Sequence, residues 1–185
     1  LVFTNIINQR PNGDLAQNPL VNTTGSPVFA LPHHRSTSVQ HVFEEPLTSA
    51  LLLDNVIHTP TVAVRRQAWE DSGGFDDKLR FMEDLNCWYE IARSHTCAFI
   101  DEICCYRRLH ETNVTRNTLE ADLTQAAVWQ EWLARNDVKW IDDHRAQLRR
   151  RLADLEASCA RRLLRNGEID KARRLFGQSL SRHRS

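Results

Sequence analysis

Two adjacent carboxylates at the start of an amphipathic stretch carry the most chemistry in this sequence. Glu83 and Asp84 precede Leu85, Trp88, Tyr89 and Ala92, whose spacing of three and four residues predicts a helix with one apolar face. A carboxylate held at a loop-to-helix junction, on the edge of a cleft, can take the proton of a substrate hydroxyl as a general base. The same place suits plain capping, because Asp is a favoured N-cap. A full capping box would want Glu or Gln at position 87, where this chain has Cys87. The two roles compete, since amide hydrogen bonds favour the ionised carboxylate and so weaken it as a base.

A second group lies further on. Arg107 and Arg108 could clamp a diphosphate through forked hydrogen bonds, or alternate outward on an edge strand. His110 follows them and is a candidate metal ligand or a surface residue. Of the five cysteines, Cys87, Cys97, Cys104, Cys105 and Cys159, no two lie at C-x-x-C spacing. The odd number predicts reduced thiols, and the spacing argues against zinc despite eight histidines. Cys105 with His110 as nucleophile and base is set aside, because those thiols fall in an apolar run expected to form a buried strand.

The elements that must position these groups follow from the period of the apolar residues. Leu1–Ile7 predicts a strand, and Arg10-Pro-Asn-Gly-Asp14 a turn. Residues 15–45 hold three of the six prolines and are expected to form a long loop with little regular structure. Residues 46–57 fit a short amphipathic helix, Thr61-Val-Ala-Val64 a strand, and Gln67–Ser72 a helical turn stopped by Gly73-Gly74. Cys97–Ile100 and Ile103–Tyr106 are expected as two short strands, with Asp101-Glu102 between them.

From about residue 117 the period is helical throughout. Leu119, Leu123, Ala126 and Leu133 mark one helix. Leu148, Leu152, Leu155, Cys159 and Leu163 mark a second, at near-heptad spacing. After the stop at Asn166-Gly167, Ile169, Ala172, Leu175, Phe176 and Leu180 mark a third. The chain thus divides near residue 115, into a mixed α/β part (1–115) and an all-α C-terminal helical extension (116–185) ending in a basic hairpin.

Residues 55–115 resemble a known family. The run Thr61-Val-Ala-Val-Arg-Arg66, then Gly73-Gly-Phe-Asp76, then Glu83-Asp84 with Trp88, then Tyr106-Arg107 leading to His110, is similar to the C-terminal half of family 2 glycosyltransferases of GT-A fold. The resemblance covers roughly residues 1–115. It implies a partial GT-A-like α/β domain of few short strands with packed helices, and an inverting, nucleotide-sugar-dependent transfer to a hydroxyl acceptor. The acceptor would be a glycan or a lipid-linked or envelope polysaccharide. By the same resemblance Asp84 is the base, Glu83 helps place the acceptor, Trp88 lies beneath it, Arg107 and Arg108 bind substrate, and His110 contacts the metal or diphosphate. One more residue, Leu109, stands before His110 than the usual Tyr-Arg-x-His spacing has.

The family's Asp-x-Asp metal motif has no counterpart here, since no two aspartates lie two apart. Together with a start inside a strand-like run, this leads to the expectation of a piece of a longer enzyme. That enzyme would use Mg²⁺ or Mn²⁺. The piece itself would hold no metal and turn nothing over alone. The alternative is a non-catalytic interaction module derived from a glycosyltransferase.

Composition bounds the remaining classes. At 41% apolar and 26% charged, the chain belongs with ordinary globular proteins. No basic stretch precedes an apolar core near residue 1, and no apolar run reaches the roughly 18 residues of a span. A cytoplasmic location is expected, and the basic tail has two readings, an ordinary solvated arginine face or a peripheral contact at the inner face of the membrane. Formal net charge is zero, yet His144–Ser185 holds 12 Lys/Arg against 4 Asp/Glu, a balance of +8. Its arginines, among them Arg149, Arg150, Arg161, Arg162, Arg165, Arg173 and Arg174, are expected to stay outside a packed hairpin. With Phe176 alone as an aromatic in that stretch, nucleic acid is an unfavoured partner, whereas homo-oligomers fit a docking hairpin.

Overall fold

A computed structural model describes residues 1–21, 26–44, 47–53, 55–111, 118–134 and 139–184. The chain forms two compact units, Leu1–Asn113 and Val114–Ser185.

The first unit is α/β. Its four strands, β1 (Val2–Gln9), β2 (His33–Arg35), β3 (Gln40–Phe43) and β4 (Ala98–Arg108), form one mixed sheet in the order β1-β4-β3-β2. β1 and β4 run parallel, while β3 is antiparallel to both β4 and β2. A parallel pair needs a crossover, and the chain between them supplies three helices: α1 (Thr48–Leu53), α2 (Arg66–Asp71) and α3 (Glu83–Ser94). Phe3, Ile6, Leu51, Ile57, Leu85, Ile91 and Phe99 form the buried core.

One polar residue is built into that core. Asn5 is 1% exposed. Its Nδ2 donates to Val21 O and to Asp101 Oδ1, both at 3.1 Å, and its Oδ1 accepts from the Ile6 and Val21 amides. It thereby ties the returning loop to β1 at the place where the register with β4 shifts: Thr4 faces Ile100, Asn5 faces Ile103 and Ile6 faces Cys105. The polar break at Asp101-Glu102 is therefore a bulge inside one strand, not a gap between two.

Three further expectations need correction. Within residues 15–45 the structure has a 3₁₀ turn (Pro27–Ala30) and the hairpin β2–β3. Packing favours it over a loop: Phe29 meets the rings of His33, His41, Phe43 and Phe99 at centroid distances of 5.0–6.4 Å. The strand expected at residues 61–64 is a 3₁₀ turn, Thr59–Thr61, followed by a single bridge from Ala63 to Val2. Pro60 fixes φ and removes an amide donor, which stops a ladder from forming there. The run around Cys104 is not buried: Ile103 is 43% and Tyr106 61% exposed, and Cys104 is exposed. β3 pairs only with Ala98–Ile100, so beyond the bulge β4 has β1 as its one named strand partner among the described residues.

The second unit holds α4 (Thr118–Ala134), α5 (Lys139–Arg165) and α6 (Ile169–Arg184). Trp132, Leu148, Leu152, Ala153, Cys159, Ala160 and Ala172 are at most 1% exposed. Glu156, also fully buried, accepts from Arg182 Nε through both oxygens at 3.0 Å and from Gln130 Nε2 at 2.9 Å, joining all three helices. Two sequence expectations fail here. Arg162 does not stand outside the packing but pairs with Asp122 of α4 at 2.9 Å. Ile169 and Leu180 do not join the buried face of α6, for each is 57% exposed; the buried positions are Ala172 and Ser179. Among the described residues no helix is long and apolar enough to cross a membrane.

Candidate active site

Glu83 and Asp84 occupy the first turn of α3, but neither is the N-cap. That position belongs to Met82, whose side chain makes no capping bond and whose φ of 67° is left-handed. Among the described residues Met82 is the one non-glycine residue with positive φ. Such a conformation costs roughly 1–2 kcal/mol per residue, and strained backbone of this kind concentrates at functional sites.

Asp84 is held from two sides. Its Oδ2 accepts from the Thr59 hydroxyl at 2.7 Å, and its Oδ1 accepts from the Leu85 amide at 2.7 Å. The second bond satisfies one of the amide groups that a helix start leaves unpaired. The sequence posed base and cap as alternatives. In the structure Asp84 serves the helix amides from inside the first turn while presenting a fixed carboxylate at its rim. Thr59 gave no warning in the sequence, being one hydroxyl before a proline in a loop. Burial raises the Glu83 carboxyl above its ordinary pKa; its own backbone amide opposes this, and the charge of Asp84 adds to it.

One turn along α3, Trp88 is 2% exposed and packs against Trp69 (6.3 Å between centroids) and Phe75 (5.6 Å). Trp69 and Phe75 meet edge to face at 4.5 Å. The Gly73-Gly74 pair makes this cluster feasible. Gly74, at φ of 70°, lies so close to the Trp69 indole that a Cβ would approach it to 3.1 Å. Ser72, at the end of α2, lies 3.6 Å from Cys87 Sγ and joins α2 to α3. Trp88 is thus a support; Phe75, 41% exposed, is the ring that meets solvent. The Trp88 indole nitrogen is buried with no hydrogen-bond partner among the described residues.

Arg107, Arg108 and His110 lie elsewhere in the same unit, at the end of β4. Arg107 and Arg108 stand opposite Asn8 and Gln9 of β1, and the Leu109 amide donates to Gln9 O at 2.8 Å. Arg107 is half-buried, whereas Arg108 and His110 are exposed. Among the described residues no three His, Cys, Asp or Glu side chains gather into a metal-binding group. Cavities of about 480 Å³ (Leu119, Leu123, Leu163, Leu175) and 400 Å³ (Val2, Ala63, Thr96, Ala98) open elsewhere, and no sequence-predicted site residue lines either.

No family model, curated protein or solved structure matches this chain.

Proposed function

We propose that this chain is the acceptor-side part of a nucleotide-sugar-dependent inverting glycosyltransferase of family 2, with a partial GT-A architecture in its first unit. The observation that supports this reading best is the fixing of Asp84 by the Thr59 hydroxyl and the Leu85 amide, two residues after the strained Met82. Each carboxylate oxygen has two lone pairs. The two bonds therefore orient the group and leave it able to accept a further proton. In the reaction an acceptor hydroxyl oxygen would attack the anomeric carbon of the donor as Asp84 takes its proton. The bond from that carbon to the departing diphosphate would break on the opposite face, which inverts the centre. Glu83, beside the base, would hold a second acceptor hydroxyl. The rings of Trp69 and Phe75 would flank the acceptor, with Trp88 beneath them. Arg107 and Arg108 would serve the diphosphate. The divalent ion implied by the family supplies charge neutralisation at that diphosphate, and no step assigned to this chain passes through it.

The test is sugar transfer by the gene product carrying this chain, assayed with uridine and guanosine diphospho-sugars. Asp84→Asn keeps shape and hydrogen bonding but removes the base. It should lower kcat by roughly 10²–10⁴, the usual worth of a general base, at unchanged melting temperature. Retained kcat in this variant would overturn the assignment.

A further inference from the structure

The turn between α5 and α6 presents an amphipathic tip that neither the helical packing nor the proposed chemistry uses. α5 ends at a glycine stop: the Glu168 amide donates to Leu163 O at 2.9 Å, the Gly167 amide donates to Leu164 O at 3.1 Å, and Gly167 has a φ of 81°. This closes a tight reversal between Leu164 and Ile169. The hairpin packs through Leu163 and Ala172, while Leu164 is 51% and Ile169 57% exposed. Leu180, also 57% exposed, continues the Ile169 face along α6.

Cations surround these apolar side chains. Arg161, three residues before Leu164, shares its face, and Arg165 follows Leu164 at the end of α5. Arg173 lies one turn beyond Ile169. All three are exposed, and among the described residues none has an ion-pair partner. Of the two nearby acids, Glu168 is bonded to Lys171, which leaves Asp170.

Exposed aliphatic side chains ringed by arginines match the boundary of an anionic bilayer. The aliphatic groups enter the acyl edge, and the guanidinium groups meet lipid phosphates on stems that extend along the apolar layer. We propose that the α5–α6 tip docks this protein on an anionic lipid surface, as a peripheral contact. The charge pattern disfavours two other occupants. A two-fold pairing of the tip with a second copy would gather Arg161, Arg165 and Arg173 of both copies into one interface, with too few acids to answer them. Single-stranded nucleic acid is met by stacking aromatics, and residues 161–173 contain none. The proposal stands independently of the glycosyltransferase reading.

The experiment is co-sedimentation of the intact chain with vesicles of phosphatidylcholine alone and of phosphatidylcholine with phosphatidylglycerol. Binding to the anionic vesicles only is expected at low salt. It should vanish near 0.5 M salt, where screening falls to about 4 Å. The triple change Arg161→Gln, Arg165→Gln and Arg173→Gln should weaken binding about 100-fold, roughly fivefold per arginine. The pair Leu164→Glu and Ile169→Glu should abolish it with helical circular dichroism unchanged, while Arg66→Gln in the other unit should leave it intact. No binding at low salt, or undiminished binding by the tip variants, would overturn the proposal. So would a dimer in solution that the tip variants dissolve, which would reassign the surface to self-association.

Discussion

The Thr59 hydroxyl lies 2.7 Å from Asp84 Oδ2, a contact between residues 25 apart that fixes the carboxylate against the 3₁₀ turn of Thr59–Thr61. The bond is solvent-accessible, so its worth lies in orientation more than in stability. Thr59→Val should lower kcat of the gene product by about tenfold, well short of the loss from Asp84→Asn, and should leave the melting temperature within about 2 °C. A Thr59→Ser variant should recover most of the activity. A melting temperature that falls with activity retained would assign the pair to structure alone.

His41 should make the first unit sensitive to mild acid. Burial lowers its pKa from the ordinary 6.5, the charges of Arg35 and His33 lower it further, and Asp101 opposes them. The ring is 2% exposed, and its Nδ1 has no partner among the described residues. Above pH 6.5 both folded and unfolded chains carry a neutral ring, and the stability is intact. As pH falls below 6.5, the unfolded chain takes up a proton that the folded one resists, so stability declines toward the folded pKa. Melting temperatures followed from pH 8 to pH 5 should show this decline, and His41→Leu should flatten it. An equal slope in both proteins would exclude His41 as the cause.

Glu156 is the feature of the second unit most exposed to single changes. Glu156→Ala would leave Arg182 and Gln130 without their shared acceptor inside the packing of α4, α5 and α6. Removing one partner of a buried pair costs roughly 3–5 kcal/mol. Urea unfolding should show a loss of about that size, with Glu156→Gln losing less because it still accepts from both. A loss below about 1 kcal/mol for Glu156→Ala would mean that water replaces the carboxylate.

The thiols should divide by accessibility. Burial pushes Cys97 and Cys159 up to about 11 and raises Cys87 as well, whereas Cys104 is exposed. Native alkylation with iodoacetamide at pH 8, mapped by mass spectrometry, should mark Cys104 first. Cys87, Cys97 and Cys159 should react only after denaturation. Early labelling of Cys159 would mean that the helical unit opens readily.

Much of the fold is written locally. The three- and four-residue spacings of Leu85, Trp88, Tyr89 and Ala92 match α3, and the spacing from Leu119 to Leu163 matches α4 and α5, because a helix satisfies its own backbone and needs only one apolar face. The stops at Gly73-Gly74 and Asn166-Gly167 are legible for the same reason: positive φ is a property of the residue itself. Glu83 and Asp84 could be singled out from their types and their place before an apolar stripe. Tertiary structure alone decided the rest. The hairpin β2–β3 exists because Phe29 packs on Phe43 and both Phe29 and His41 pack with Phe99, 70 and 58 residues away, and no short-range signal encodes those contacts. The sequence break at Asp101-Glu102 became a bulge because Asn5 bonds both Asp101 and Val21 across the sheet. Thr59 entered the candidate site through a fold-back that brings it to α3, and Ile169 and Leu180 left the hairpin core because Ala172 and Ser179 occupy it. Periodicity states which residues share a face; only packing among distant segments decides what that face meets.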